Sequence, residues 1–158
     1  ALPATLGYRG YRHSCCTSIN HVVCHGIPSD RVLRDGDIVN VDVTYILDGW
    51  HGDTNRMYYV GNVPRKATRL CEVTYEAMMR GIAAVKSGAT LGDIGMFFTI
   101  EPMINTGKPG VKILADGWTA VTRDRSLSAQ FEHSIGVTAD GAEIFTRSPA
   151  GLDCPPYS

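Results

Sequence analysis

No C-x-x-C pair, no apolar run of membrane-spanning length, no block of like charge and no short-period repeat occurs in this 158-residue chain. Each absence closes off a class of protein. The five cysteines (Cys15, Cys16, Cys24, Cys71, Cys154) are an odd set without metal-knuckle spacing. They argue against a structural zinc site and a secreted disulfide framework, and for reduced thiols in the cytoplasm. Fifteen basic and sixteen acidic residues leave a net charge of −1. Lys and Arg do not cluster, so neither nucleic acid nor a membrane surface is indicated as a partner. No signal-peptide pattern opens the chain, and its first residue, alanine, reads as that of a trimmed or partial product. The 44% hydrophobic and 20% charged fractions suit an ordinary globule whose length fits one domain.

What the sequence does hold is four carboxylates inside stretches that otherwise read as buried strand. Asp42 lies in Ile38–Tyr45, Asp53 in His51-Gly52-Asp53-Thr54, Glu101 in Phe97–Met103 and Glu132 in Gln130–Ile135. An ionised carboxylate stripped of water costs several kcal/mol or takes up a proton. Several persist together where something positive sits between them, and a pair of divalent ions is the simplest candidate. Any one of the four, taken alone, is as well explained by a solvent-facing strand position or a satisfied buried network. Recurrence on strands, with His133 beside the last, favours metal. Oxygen-rich coordination suits Mg, Mn, Fe(II), Co or Zn alike.

The pattern predicts a loop over residues 1–14, a strand from Thr17 to Cys24, and a long hairpin. In that hairpin Ile38–Leu47 returns through Asp48-Gly49 as Trp50–Val60. A tight turn sets 47 against 50, 44 against 53 and 42 against 55. Asp42 and Asp53 then become diagonal neighbours roughly 7–8 Å apart, a span that accommodates two metals roughly 3.5–4 Å apart. The other face (Val39, Val41, Val43, Tyr45) reads as plain core. A helix is predicted over Pro64–Lys86, with Leu70, Thr74, Ala77, Gly81 and Val85 along its apolar stripe. Thr90–Asp93 announces another helix that has no room before Gly95, which marks a gap in the sequence or a single connecting turn. Strands are expected over Phe97–Asn105, Val111–Leu114, Trp118–Val121, Gln130–Thr138 and Ala142–Thr146. Residues 1–147 are expected to form one domain. The tail, 148–158, holds three of the eight prolines and is expected to be extended or disordered.

Among other candidates, His25 stands at a strand end before Gly-Ile-Pro, in position to face a cleft or simply solvent. His21 and His25 have helical i,i+4 spacing, but Val22, Val23 and the following Gly-Ile-Pro disfavour a helix there. His13 and His51 read as structural or exposed. Tyr8, Tyr11, Cys16 and Trp118 could line an apolar pocket or belong to the core. Cys16 and Cys24 are conceivable nucleophiles without a supporting Cys-His-Asn arrangement.

Leu6–Tyr11, Ser18–Pro28, Asp35–Thr44, His51–Thr54, Phe98–Met103, Asp116–Thr119 and Asp124–His133, in this order, resemble the bacterial-type (type I) methionine aminopeptidases. The resemblance implies the pita-bread fold, an α/β (α+β) architecture with an antiparallel sheet and flanking helices around a dinuclear metal site. It implies removal of the initiator methionine from nascent chains with a small second residue, through attack of metal-generated hydroxide on the first peptide carbonyl. Two divalent ions (Co, Mn, Fe(II) or Zn) are implied as cofactors. Asp42 would be a bidentate ligand, Asp53 and Glu132 bridges, and Glu101 a ligand and proton shuttle. His25 would hydrogen-bond the substrate or tetrahedral intermediate, and Tyr8, Tyr11, Cys16 and Trp118 match positions around the methionine pocket. The implied partners are nascent polypeptide N-termini, at the ribosome, for a cytoplasmic monomer.

There is one departure. Family members carry several tens of residues between the stretches matching Leu91–Ile94 and Phe98–Pro102. That insert brings a helix and a strand whose Gly-His-Gly-Ile-Gly motif supplies a fifth, histidine ligand, together with a second substrate-orienting His. The gap falls near 95–96, and three readings stay open. A segment of a complete enzyme is absent from this sequence; the chain is a genuine deletion lacking a ligand; or it is an inactive pita-bread relative kept as a binding module. The retained acidic quartet argues against the last. A creatinase- or prolidase-type metallopeptidase is the alternative within catalysis, against which Leu6–Tyr11 and His21–Pro28 weigh.

Overall fold

The computed structural model describes residues 1–86, 88 and 97–157. The chain opens with β1 (Leu2–Pro3), a 3-10 turn at Tyr8–Gly10, β2 (Cys16–Ile19) and β3 (Val22–Cys24). The hairpin β4 (Ile38–Leu47) and β5 (Trp50–Tyr59) and the helix α1 (Arg65–Ala84) follow. The second half holds β6 (Phe97–Ile100), β7 (Met103–Asn105), β8 (Val111–Ile113), β9 (Ala120–Thr122), β10 (Ser128–Gln130), β11 (Glu132–Thr138) and β12 (Gly141–Ile144). The main sheet runs β1-β4-β5-β11-β12, with β2 on β4 and β6 on β11. Two small sheets, β10-β7 and β3-β9-β8, stand beside it. The expected second helix start at Thr90–Asp93, and the gap near 95–96, lie outside the described residues.

The hairpin takes the expected register because Asp48 and Gly49 both adopt positive φ (51° and 86°). That is the turn whose twist matches two antiparallel strands. Leu47 faces Trp50, Thr44 faces Asp53 and Asp42 faces Asn55. Three strands expected to be continuous are broken instead, each for a local reason. Thr17–Cys24 divides into β2 and β3 at Asn20, which is left-handed (φ 54°). Its side-chain Nδ2 donates to Asp37 Oδ1 at 2.6 Å and its side-chain Oδ1 accepts from the Ile38 N–H at 3.1 Å. Phe97–Asn105 divides at Glu101-Pro102, since proline brings no N–H to a ladder. Gln130–Thr138 divides at the fully buried Phe131. β10 then pairs with β7, and β11 with β5 and β6.

The core also lies on a different face from the expected one. Ile38 and Met57 are buried on the same side of the hairpin as Asn40 and Asp42. They join Phe131, Ile135 and the inner face of α1, formed by Ala67, Leu70, Cys71, Met78 and Ile82. Burying each large side chain of this set contributes roughly 1.5–3 kcal/mol, so α1 is fixed to the sheet along its whole length. On the other face Val39 is buried, but Val41, Val43 and Tyr45 are only half covered. The polar stripe around Asp42 is therefore an island bordering the main core.

The C-terminal segment is irregular, as expected, yet it is not free. Arg56 pairs with Asp153 at 3.2 Å and donates to the Thr146 carbonyl at 3.1 Å. The Tyr157 hydroxyl donates to the Met57 carbonyl at 2.9 Å, and Cys154 packs on the core. The segment thus braces β5, the strand that carries Asp53. Among the described residues, no helix is long and apolar enough to cross a membrane.

Candidate metal centre

Each carboxylate reaches the centre from a different place in the chain. Asp42 stands mid-β4, and Asp53 lies diagonal to it on β5. Glu101 occupies the break between β6 and β7, and Glu132 opens β11 opposite Asn55. Asp42, Glu101 and Glu132 each offer an oxygen within 4.8 Å of the others. Asp53 stands beside this triad rather than inside it. Its Oδ1 accepts from Thr44 Oγ at 2.8 Å, and its backbone is held by Ser134 Oγ on both the N–H and the carbonyl side.

Burial sets the electrostatics. Glu132, 3% exposed, is pushed up to about 9, chiefly by loss of water and then by the charges of Glu101, Asp53 and Asp42. Asp42 is pushed to about 7 by burial and then by Asp53 and Glu101. Burial also raises Asp53, against the Thr44 hydrogen bond, and Glu101, against the Gln130 amide. The ion pairs among the described residues join Arg31–Asp37, Arg56–Asp153, Arg69–Glu72 and Arg80–Glu76. None touches the quartet. Asp42 Oδ1 is buried without a hydrogen-bond partner, an expensive condition for a carboxylate oxygen.

Beneath the acids lies an amide layer, Asn55 and Gln130, that the sequence pattern does not single out. The Asn55 amide bonds Glu132 Oε2 at 3.0 Å and Glu101 Oε1 at 3.3 Å. Gln130 Nε2 also donates to Glu101 Oε1. The available signal was positional: Asn55 follows Asp53 by two residues on the same face and sits opposite Asp42 in the register already derived.

The aromatic candidates gather on one flank. Cys16 on β2 is the cross-strand neighbour of Asp42 and is buried. Beside it the Tyr11 ring lies 5.1 Å from Trp118, with Tyr8 and His25 at 6.3 and 6.1 Å from the same indole. His25 is exposed just after β3 and left-handed (φ 57°). It precedes Gly26, where a Cβ would come within 2.1 Å of the Thr17 carbonyl oxygen. The close return of the chain at Gly26 therefore sets where His25 emerges. A cleft of about 560 Å³ opens next to it, lined by Cys24, Met103, Ile104 and Val111 among others.

The remaining candidates fall away. His21 and His25 flank a strand, not a helical turn. His13 packs against Tyr11, His51 is exposed, and buried His133 bonds Thr146 Oγ at 2.9 Å. Burial raises the Cys16 thiol and pushes Cys24 up to about 11, so neither is a ready thiolate.

Residues 4–95 match metallopeptidase family M24. A methionine aminopeptidase of Rickettsia prowazekii is 52% identical over 206 aligned positions, covering 99% of this chain and 80% of that protein. Because 206 positions exceed the 158 residues here by 48, at least that many positions of the relative have no counterpart in this chain. A crystal structure of methionine aminopeptidase from Rickettsia prowazekii superposes with a TM-score of 0.88 at 51% identity, over 91% of this chain and 78% of that one. The prolidase of Pyrococcus furiosus, at 19% identity and a TM-score of 0.64, covers 85% of this chain and 49% of its own, and shares the fold alone.

Proposed function

The chain belongs to metallopeptidase family M24 and within it to the bacterial-type methionine aminopeptidases, and from that premise we propose how its residues release an N-terminal methionine from chains with a small second residue. One observation carries the proposal: Asp42, Glu101 and Glu132, from distant parts of the chain, bring carboxylate oxygens within 4.8 Å of one another, and among the described residues no ion pair involves them. A binding module gains nothing from such repulsion, and the prolidase alternative has only the shared fold behind it.

Asp42, Asp53, Glu101 and Glu132 would hold two divalent ions, of Co, Mn, Fe(II) or Zn. The partnerless Oδ1 of Asp42 and an all-carboxylate donor set suit such ions. When bound, the metals lower the pKa of water and polarise the scissile carbonyl. Glu101 takes the proton from the attacking water and delivers it to the leaving amine. Gln130 and Asn55 engage one of its oxygens, which leaves the other to carry that proton. His25 steadies the oxygen of the carbonyl under attack. Tyr8, Tyr11, Trp118 and Cys16 wall the methionine side chain, whose sulfur is favoured beside aromatic edges. The polypeptide beyond the scissile bond runs along the cleft beside His25 and Met103.

Residues 1–147 act as the catalytic domain, and the C-terminal tail braces it through Asp153, Cys154 and Tyr157. The substrates are nascent N-termini, met at the ribosome by a cytoplasmic monomer, a setting that five free cysteines suit.

The test is release of methionine from Met-Ala-Ser after metal stripping and reloading with Mn(II) or Co(II). Asp53→Asn should abolish it. Activity retained in that variant removes Asp53 from the centre. Absence of turnover by the unaltered chain makes the insert indispensable.

A further inference from the structure

We infer that Asn55 is a positioning residue for the metal-binding carboxylates, its single amide nitrogen setting the spacing of Glu101 and Glu132 by donating to both. The inference rests on the metal centre proposed above.

Asn55 is 1% exposed on β5, directly across from Asp42. Its Nδ2 lies 3.0 Å from Glu132 Oε2 and 3.3 Å from Glu101 Oε1. A primary amide carries two N–H donors. One nitrogen therefore occupies one oxygen of each acid and leaves each a second oxygen for the focus shared with Asp42. The amide is held in that sense. Its Oδ1 accepts from Asn40 Nδ2 at 2.9 Å, and Asn40 Nδ2 also donates to the Gln130 carbonyl at 3.0 Å. Turned over, Asn55 would aim its carbonyl oxygen at two carboxylates and its N–H groups at another donor. The hydrogen-bond chain from the Gln130 carbonyl through Asn40 fixes the orientation of the amide.

The choice of side chain has a physical logic. Two adjacent acids that repel each other, Glu132 buried and Glu101 partly so, need a positive partner to stay together, and a lysine would satisfy both while competing with any metal. An amide supplies only partial positive charge and cannot be deprotonated. It holds the acids close without neutralising them. A hydrocarbon of the same size would leave Glu101 on Gln130 Nε2 alone and Glu132 without this donor, so nothing would tie the two acids to one another.

Co(II) titrated calorimetrically into the whole chain, with visible absorption recorded in parallel, tests this. Asn55→Leu keeps the volume and removes the donor. It should bind Co(II) roughly 10–100-fold more weakly than the unaltered chain, with shifted visible bands that report changed ligand geometry. Equal affinity with unchanged bands overturns the inference. Should leucine at this buried site prevent folding, as circular dichroism of the metal-free variant would reveal, Asn55→Ala and Asn55→Ser form a matched pair in which only serine donates. Tighter binding by the serine variant supports the inference, and equal binding overturns it. Failure of the unaltered chain to bind Co(II) overturns the metal centre and this inference together, a result distinct from a variant that binds as well as the unaltered chain.

Discussion

Raising the pH of the metal-free chain should destabilise it. Glu132 ordinarily titrates near 4.5 but burial pushes it to about 9 in the fold. Between those values the folded chain keeps a proton that the unfolded chain has released. The unfolded state then binds fewer protons, so stability falls as pH rises. Each tenfold displacement of a protonation equilibrium is worth about 1.4 kcal/mol. Between about pH 5 and about pH 8, Glu132 alone removes about 4 kcal/mol. Asp42, pushed to about 7, acts in the same direction up to neutrality, and because these acids share one field their losses do not add. A loss of about 4 kcal/mol is a large part of the roughly 5–15 kcal/mol that holds a domain together. His133 and His21, whose ring pKa values burial lowers from 6.5, add stability as pH rises toward 6.5 and so mask the effect in the lower part of that range. The comparison is therefore with Glu132→Gln, which keeps both histidines. Urea unfolding followed by circular dichroism in chelator should show stability changing by about 4 kcal/mol less favourably with pH in the unaltered chain than in the variant. Saturating Mn(II) should remove that difference from the unaltered chain. Identical pH dependence in the two chains refutes the reasoning.

Three further outcomes follow from particular contacts. Arg56→Ala should lose about 1–3 kcal/mol in urea unfolding and expose residues 148–157 to carboxypeptidase, because Arg56 holds both Asp153 and Thr146. Gly26→Ala should cost about 1–3 kcal/mol or more and depress methionine release, since the new Cβ would meet the Thr17 carbonyl oxygen and displace the turn below His25. Trp118→Ala should raise KM for Met-Ala-Ser roughly tenfold, equivalent to about 1.4 kcal/mol of lost contact, with kcat changed less; an unchanged KM removes Trp118 from the methionine pocket.

Much of this arrangement was legible in the residues. Asp48-Gly49 dictated the hairpin register, and the register made Asp42 and Asp53 diagonal neighbours. The helix was readable from its stripe, although the glycine within it serves close packing: a Cβ on Gly81 would lie 3.1 Å from Ile100. Strand breaks at Asn20 and Phe131 were not legible. The first depends on Asn20 finding Asp37 seventeen residues away, and the second on a switch between sheets that leaves no local mark. The buried face of the hairpin was not legible, because alternation says which residues share a side, not which side the helix will cover. The tail looked free because proline-rich composition carries no record of the Arg56–Asp153 pair. At the centre, the sequence offered the four acids but no measure of their convergence, and the amides beneath them became visible only once Asn55 stood opposite Asp42.

The most direct measurement is anomalous diffraction from a zinc-loaded crystal at the zinc absorption edge. Peaks should appear bounded by the oxygens of Asp42, Asp53, Glu101 and Glu132, at roughly 2.0–2.2 Å from the ligating atoms. Peaks elsewhere, with those four side chains turned to solvent, would contradict the proposed metal centre.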